Sequence, residues 1–251
     1  MAGTPTIRKA ARSAPVTQRE GCVPKYAGKL MSTLPLFDLD TSSAGTETRL
    51  GRQALVLRGF ALPYVEALWP ALQAIITQAP FRHMITPGGQ RMSVSLTNCG
   101  TLGWTSDPHG YRYTTFDPES SLPWPAMPAA FMQLAREAAE RAGFADFTPD
   151  ACLINRYRPG TRMSLHQDKN EHDFSAPIVS VSLGIPAVFL WGGHRRADRP
   201  ERIALFHGDV TVWGGTDRLR FHGVAPIRDE THPTLGAERI NFTFRRAGPA
   251  I

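Results

Sequence analysis

Arg239-Ile240-Asn241-Phe242-Thr243-Phe244-Arg245 alternates polar and apolar residues without a break. Side chains on an extended chain point to opposite faces in turn. Ile240, Phe242 and Phe244 therefore share one face, and Arg239, Asn241, Thr243 and Arg245 the other. If the apolar face packs on a core, the polar face meets either solvent, as on an edge strand, or a polar cavity. The two arginines stand six residues apart, roughly 20 Å on an ideal strand. One small dicarboxylate reaches both only if twist and long side chains converge.

Working outward, the same period-two pattern recurs in short runs at 151–158, 178–184, 187–191, 202–207 and 210–213, separated by Gly, Pro and Asp. Many short strands at this spacing predict a sandwich or barrel. Phe206-His207-Gly208-Asp209-Val210 reads as a hairpin with Gly-Asp as its turn. Before residue 151 the pattern is helical in two places. Leu62, Val65, Leu68, Leu72 and Ile75 recur at helical spacing around Pro63, with Pro70 expected to kink or end the first half. Phe131, Leu134, Ala138 and Ala142 mark a second helix between Pro128 and Gly143.

A chain of 251 residues that is 42% hydrophobic can bury a full core. No apolar run approaches the roughly 18 residues that cross a bilayer, and the start lacks the apolar centre of a secretory signal. The expectation is a soluble cytoplasmic protein, a monomer with no membrane partner. Cys22, Cys99 and Cys152 are widely separated in sequence and predict neither a disulfide framework nor a zinc site. The net charge of +6 is concentrated at the start. Residues 1–30 carry Arg8, Lys9, Arg12, Arg19, Lys25 and Lys29 against Glu20 alone, which is +5 of the total. That tail reads as a poorly ordered extension, as a basic arm raising nonspecific affinity for nucleic acid, or as an organelle transit peptide. From residue 31 onward the chain has 21 arginines and a single lysine, Lys169.

His166-Gln167-Asp168 sets an imidazole and a carboxylate two residues apart, on one side of an extended chain. Two histidines and one carboxylate form the facial triad of non-haem Fe(II) oxygenases. An isolated His-x-Asp is common and needs corroboration. His222, 54 residues beyond Asp168 in a short strand-like run, is the candidate third ligand. His172, His194, His207 and His232 read as surface or hydrogen-bonded histidines. Asn155 and Tyr157 share a strand face just before the motif. They suit either a carboxylate ligand or a strand edge satisfying its own polar groups.

These residues sit within a longer series of motifs. It includes Thr86-Pro87-Gly88-Gly89, Thr97-Asn98-Cys99-Gly100, Leu102-Gly103-Trp104-Thr105, Pro123-Trp124-Pro125-Ala126-Met127-Pro128 and Asn155-Arg156-Tyr157. It continues through His166-Gln167-Asp168-Lys169, 179–184, Gly208-Asp209-Val210, Val212-Trp213-Gly214-Gly215 and the final strand. Over about residues 36–248 the chain closely resembles the AlkB family of DNA-repair dioxygenases, especially its bacterial founding type.

The resemblance implies an α+β chain. Its centre is a double-stranded β-helix (jelly-roll) at 151–251, with flanking helices and an N-terminal nucleotide-recognition lid within 36–150, behind a tail at 1–35. It assigns His166, Asp168 and His222 to Fe(II), and Asn155, Tyr157, Arg239, Asn241 and Arg245 to 2-oxoglutarate, with O2 as second cosubstrate. Trp213 packs behind the site. Trp104 stacks on a flipped base, Tyr111 and Tyr113 contact the neighbouring backbone, and Arg196 lies close to the base. The implied reaction is oxidative dealkylation of 1-methyladenine- or 3-methylcytosine-type bases in single- or double-stranded DNA, or in RNA, a chemistry that requires the base to leave the stack. One departure concerns specificity: the best-known members carry an acid where this chain has Asn170. A 2-oxoglutarate oxygenase acting on a small molecule or protein, and a silent nucleic-acid-binding jelly-roll, are the competing expectations.

Overall fold

The computed structural model describes residues 44–248. The tail at 1–35 and Cys22 therefore lie outside the described residues. In chain order the strands of the first half are β1 (Glu47–Arg49), β2 (Ala54–Leu57), β3 (Ser95–Gly100), β4 (Gly103–Asp107) and β5 (Gly110–Thr114). The helices are α1 (Val65–Gln78) and α2 (Ala129–Arg141). The second half contributes β6 (Ala151–Tyr157), β7 (Met163–His166), β8 (Ile178–Gly184), β9 (Ala187–Trp191), β10 (Glu201–Leu205), β11 (Val210–Trp213), β12 (His222–Val224) and β13 (Arg239–Arg245).

β13 lies inside a seven-stranded sheet of order β1-β2-β11-β8-β13-β6-β3, paired antiparallel to β8 on one side and β6 on the other. All seven of its residues are buried. The solvated-edge option is thereby removed, and the polar face lines the interior. Its apolar face does what the alternation requires. Ile240, Phe242 and Phe244 join Leu68, Leu72 and Ile75 of α1 and Phe131 and Leu134 of α2 in the main core. The Phe131 ring lies 4.6 Å from Phe242 and 6.0 Å from Phe244, centroid to centroid. Burying side chains of this size contributes roughly 1.5–3 kcal/mol each.

A second sheet, β10-β9-β12-β7, faces the first. Ala54, Val56, Ile178 and Trp213 from the large sheet pack on Phe189, Trp191 and Leu205 from the small one. The result is a jelly-roll with both helices on the outer face of the large sheet. β4 and β5 form a separate two-stranded hairpin.

Two expectations are corrected. The segment 206–210 is not a hairpin, because β10 belongs to the small sheet and β11 to the large one. The turn carries the chain between sheets, and Asp209 anchors it by accepting hydrogen bonds from Phe206 N (2.9 Å), Gly59 N (2.9 Å) and Arg58 Nη1 (2.7 Å). Gly208, at φ +89° and pressed on Leu62, leaves no room for a side chain. Pro70 does not end its helix. It sits on the exposed side of α1 after a 3-10 turn at Leu62–Tyr64, where the carbonyl it leaves unpaired is open to water. Cys99 and Cys152, distant in sequence, are direct cross-strand partners between β3 and β6, though both are free thiols.

The turn also explains His207. Its Nδ1 accepts the Gly184 amide at 3.0 Å, and its ring lies 4.4 Å from that of His232. Burial, then the neighbouring His232, push the His207 pKa down to about 4. An unfolded chain takes up this proton near pH 6.5, whereas the folded chain refuses it until about pH 4. Folding therefore loses stability as pH falls through that window. His207→Asn, whose side-chain oxygen accepts the same amide hydrogen, is expected to show a smaller fall in melting temperature between pH 7 and pH 5 than wild type. An unchanged fall would assign the acid sensitivity to other groups.

Candidate metal centre and active site

β7 and β12 run antiparallel with His166 directly opposite His222. Asp168 follows two residues after His166, and the ligand atoms of all three lie within 4.8 Å of one another. Each histidine is held in a defined tautomer. His166 Nδ1–H donates to the Ser164 carbonyl (2.9 Å), and His222 Nδ1–H to the Arg220 carbonyl (3.1 Å). The Nε2 lone pairs are left turned to Asp168, at 3.6 and 3.8 Å. Burial, then the neighbouring His166, hold the His222 pKa down at about 3, so its lone pair is available at neutral pH. Asp168 is as deeply buried, and burial alone would raise its pKa. Arg245, His222 and His166 outweigh that and hold it well below the carboxylate range. Two imidazoles and one carboxylate thus converge as a donor set suited to iron.

Around this centre the packing is aromatic. Trp213 meets the His222 ring edge-on at 5.0 Å, and Phe189 lies 6.0 Å away. On the polar side, Arg245 donates to Asp168 Oδ2 from Nη2 (2.6 Å) and Nε (2.9 Å). Buried Arg218 donates to the Asp168 carbonyl (2.8 Å) and to Glu171 Oε2 (3.2 Å). Sequence reasoning missed Arg218 and the structural part played by Glu171. Their one signal is an acid three residues beyond Asp168, which spacing alone does not distinguish from a surface charge.

The polar face of β13 continues away from the metal ligands. Asn241 Nδ2 donates to Ser180 Oγ and Val181 O, both at 2.8 Å. Asn155 stands directly across from Asn241 and Tyr157 across from Arg239. Arg239 is almost fully buried, its guanidinium 4.9 Å from the Tyr157 ring centre. Only its Nη2 finds an acceptor, Ser182 Oγ at 2.8 Å. Its Nε and Nη1 have no partner, and neither does Asn155 Oδ1. Burial lowers the Arg239 pKa, against the pull of Tyr157. The Tyr157 phenol, raised by burial, feels Arg239, Asp168 and Arg245 together. A buried cation with two unpaired donors, on the same strand face as Arg245, is a group that an anionic ligand would satisfy.

The β4–β5 hairpin covers this region. Buried Asn98 ties it to β3 through both backbone groups of Trp104, at 3.0 Å each. Trp104 stacks on Tyr111 (5.5 Å, 16° between planes), and its indole N–H reaches Asn170 Oδ1 at 3.4 Å. Tyr113 turns inward and donates to Glu171 Oε1 at 2.6 Å, while Tyr111 is exposed. Arg196 stands exposed on the loop between β9 and β10, with no side-chain partner among the described residues. The structure thus brings together the three metal candidates, the five β6 and β13 candidates, and Trp104, Tyr113 and Asn170.

The jelly-roll and the His-Asp-His cluster are those of a non-haem iron oxygenase, and residues 53–245 match the 2OG-Fe(II) oxygenase superfamily. The alpha-ketoglutarate-dependent dioxygenase AlkB of Salmonella typhimurium is 53% identical over 212 residues, covering 84% of this chain and 98% of that protein. AlkB of Escherichia coli is 51% identical over 213 residues, covering 85% and 99%. The solved structure of OsALKBH1 aligns with a TM-score of 0.69 at 26% identity, covering 80% of this chain and all of that one. The chain belongs to the AlkB family of 2-oxoglutarate-dependent dioxygenases. Among the described residues no helix is long and apolar enough to cross a membrane.

Proposed function

We propose that this dioxygenase oxidatively dealkylates N-alkylated bases of the 1-methyladenine and 3-methylcytosine type in DNA or RNA, releasing formaldehyde and succinate. The observation that carries the reading is the triad of His166, Asp168 and His222, together with the buried Arg239 guanidinium whose Nε and Nη1 lack partners, under a hairpin that presents Trp104. Fe(II), when bound, supplies the activation of O2 that is coupled to decarboxylation of 2-oxoglutarate. The protein's part is to bind, orient and exclude water.

In this reading His166 and His222 give their Nε2 lone pairs to the metal, and Asp168 gives the negative charge. One 2-oxoglutarate carboxylate takes the free donors of Arg239 with the Tyr157 phenol. The other lies toward Arg245, which then shares its charge between Asp168 and the ligand. Asn155 and Asn241 line the floor between them. Trp104 offers an aromatic face to an extruded base, worth on the order of 1–3 kcal/mol of stacking, and Tyr111 and Arg196 flank the entrance. Tyr113 acts through Glu171, steadying the hairpin. Asn170 has its carbonyl turned to Trp104 and so offers its NH2 to the base. The absence of a carboxylate there favours milder discrimination between cationic and neutral adducts. The enzyme works as a cytoplasmic monomer, a compartment that suits the free thiols Cys99 and Cys152.

Incubating the protein with Fe(II), 2-oxoglutarate, ascorbate and a 3-methylcytosine oligonucleotide tests this directly. Mass spectrometry is expected to show loss of one methyl group per lesion, with stoichiometric succinate and formaldehyde. Succinate formed with no change in any methylated oligonucleotide would point to a small-molecule or protein substrate. No succinate under any condition would leave a silent binding module.

A further inference from the structure

The small sheet carries a register row that locates the mouth of the site. His166 stands opposite His222, His222 opposite Trp191, and Trp191 opposite Glu201. The segment that leaves this row after His166 carries Asp168, Asn170 and Glu171 and touches the hairpin. The segment that leaves the same end of the sheet after Trp191 is the loop 192–200, fastened to the strand that bears His222. Gly192 N donates to Phe221 O (2.8 Å), Phe221 N to Gly193 O (2.9 Å), and Arg220 Nε to Gly192 O (2.7 Å). Lid-contact segment and loop therefore leave the same end of the small sheet from β7 and β9, the two strands that flank β12.

The loop and the first residues of β10 carry Arg195, Arg196, Arg199 and Arg202, all exposed. The one carboxylate inside the loop is consumed in folding it. Asp198 accepts Arg195 N (3.0 Å) and pairs with Arg195 Nε (3.3 Å). Arg196, Arg199 and Arg202 have no side-chain partner among the described residues. On the lid side the exposed Arg112 is already paired with Asp107. Besides Lys169, exposed on the lid-contact segment, the uncommitted cations here are Arg196, Arg199 and Arg202, a series that runs outward from the metal end of the small sheet onto its edge strand β10.

We propose that Arg199 and Arg202 form a backbone-phosphate track that holds the strand flanking the extruded base. This deepens the nucleic-acid reading above and rests on it. Guanidinium groups left unpaired in water retain their full charge for phosphate and release counterions when they meet it. Such contacts fix register and carry no base information. The surface therefore acts alike on modified and unmodified strands.

The test uses the full chain with anaerobic Fe(II) and 2-oxoglutarate, so the basic tail is the same in every protein. Binding of a single-stranded 3-methylcytosine oligonucleotide and of its unmodified counterpart is measured across salt concentrations. The double substitution R199Q/R202Q is expected to reduce the slope of log K against log salt by about 1.4, at 0.7 per phosphate on a single strand. By the same relation it should weaken binding of both strands roughly tenfold to thirtyfold at 0.1 M salt. R199K/R202K keeps the charge and is expected to keep the slope. Melting temperatures serve as the folding control. A glutamine pair with wild-type slope and affinity, or one that loses affinity equally at all salt concentrations, overturns the track. So does a lysine pair as defective as the glutamine pair. If wild type dealkylates the oligonucleotide while the glutamine pair binds like wild type, the track alone fails. If wild type neither binds nor dealkylates, the functional reading fails with it.

Discussion

Asp168→Ala is expected to abolish turnover and to weaken iron binding by well over a hundredfold. Partners that merely support a metal ligand cost 10- to 100-fold when removed, and Asp168 is the sole anion among the three donors. The same carboxylate also neutralises Arg245, which donates to it at 2.6 Å in a buried setting. Removing one partner of a buried pair leaves the other charge uncompensated, at a cost of roughly 3–5 kcal/mol. The alanine variant should therefore melt earlier than wild type even without iron. Asp168→Asn separates the two effects, because it keeps the volume and an acceptor for Arg245 while removing the negative ligand. Its melting temperature should recover in part while iron affinity and turnover stay low. Iron titration, succinate formation and thermal melts on both variants check this. Near-normal turnover in Asp168→Ala would remove Asp168 from the metal centre.

The strands that sequence made legible are those whose two faces meet different surroundings. β6, β8, β9, β11 and β13 fall within a residue or two of the runs read from alternation. α2 lies between Pro128 and Gly143 as its punctuation indicated, with Phe131, Leu134 and Ala138 buried. What stayed hidden depended on distant partners. β3 is buried at every position and carries Ser95, Thr97 and Asn98, whose needs are met by other segments. Thr97 Oγ1 donates to Ala79 O at 2.7 Å, and Asn98 clasps Trp104. No periodicity marks such a strand. The segment 206–210 misled because a Gly-Asp turn looks the same whether it joins paired strands or carries the chain between sheets. Only the anchoring of Asp209 by Arg58 and Gly59, about 150 residues earlier in the chain, decides it.

The site divides in the same way. His166 and Asp168 could be linked by spacing, but His222 only by the register of β12 on β7, which is a property of the sheet. Arg239 and Arg245 were open to two readings because a strand's alternation does not say whether it is central or at an edge. The β8-β13-β6 order answers that. Glu171 and Arg218 were least legible, since a buried ion pair reads as two surface charges until the fold removes water from both.

Arg239 supplies the sharpest separation of stability from function. It is a buried cation with Nε and Nη1 unpaired, and such a group is held at a cost unless an anion meets it. Arg239→Met has similar length, keeps contact with the Tyr157 ring and gives up only the Ser182 hydrogen bond. Without 2-oxoglutarate the variant is expected to melt at or above the wild-type temperature, as when buried ionic groups are replaced by packed apolar ones, a gain of up to roughly 1–4 kcal/mol. With 2-oxoglutarate the order should reverse. Loss of a buried charge-assisted contact is worth roughly 2–5 kcal/mol, so affinity for the cosubstrate should fall on the order of 30- to 5000-fold. The rise in melting temperature that ligand binding confers on wild type should then vanish at concentrations that saturate it. The measurement is a thermal melt of both proteins with Fe(II) under anaerobic conditions, with and without 2-oxoglutarate. An intact ligand-induced rise in Arg239→Met would move the cosubstrate carboxylate elsewhere. A large fall in the ligand-free melting temperature would make Arg239 a structural residue whose unpaired donors matter less than its packing.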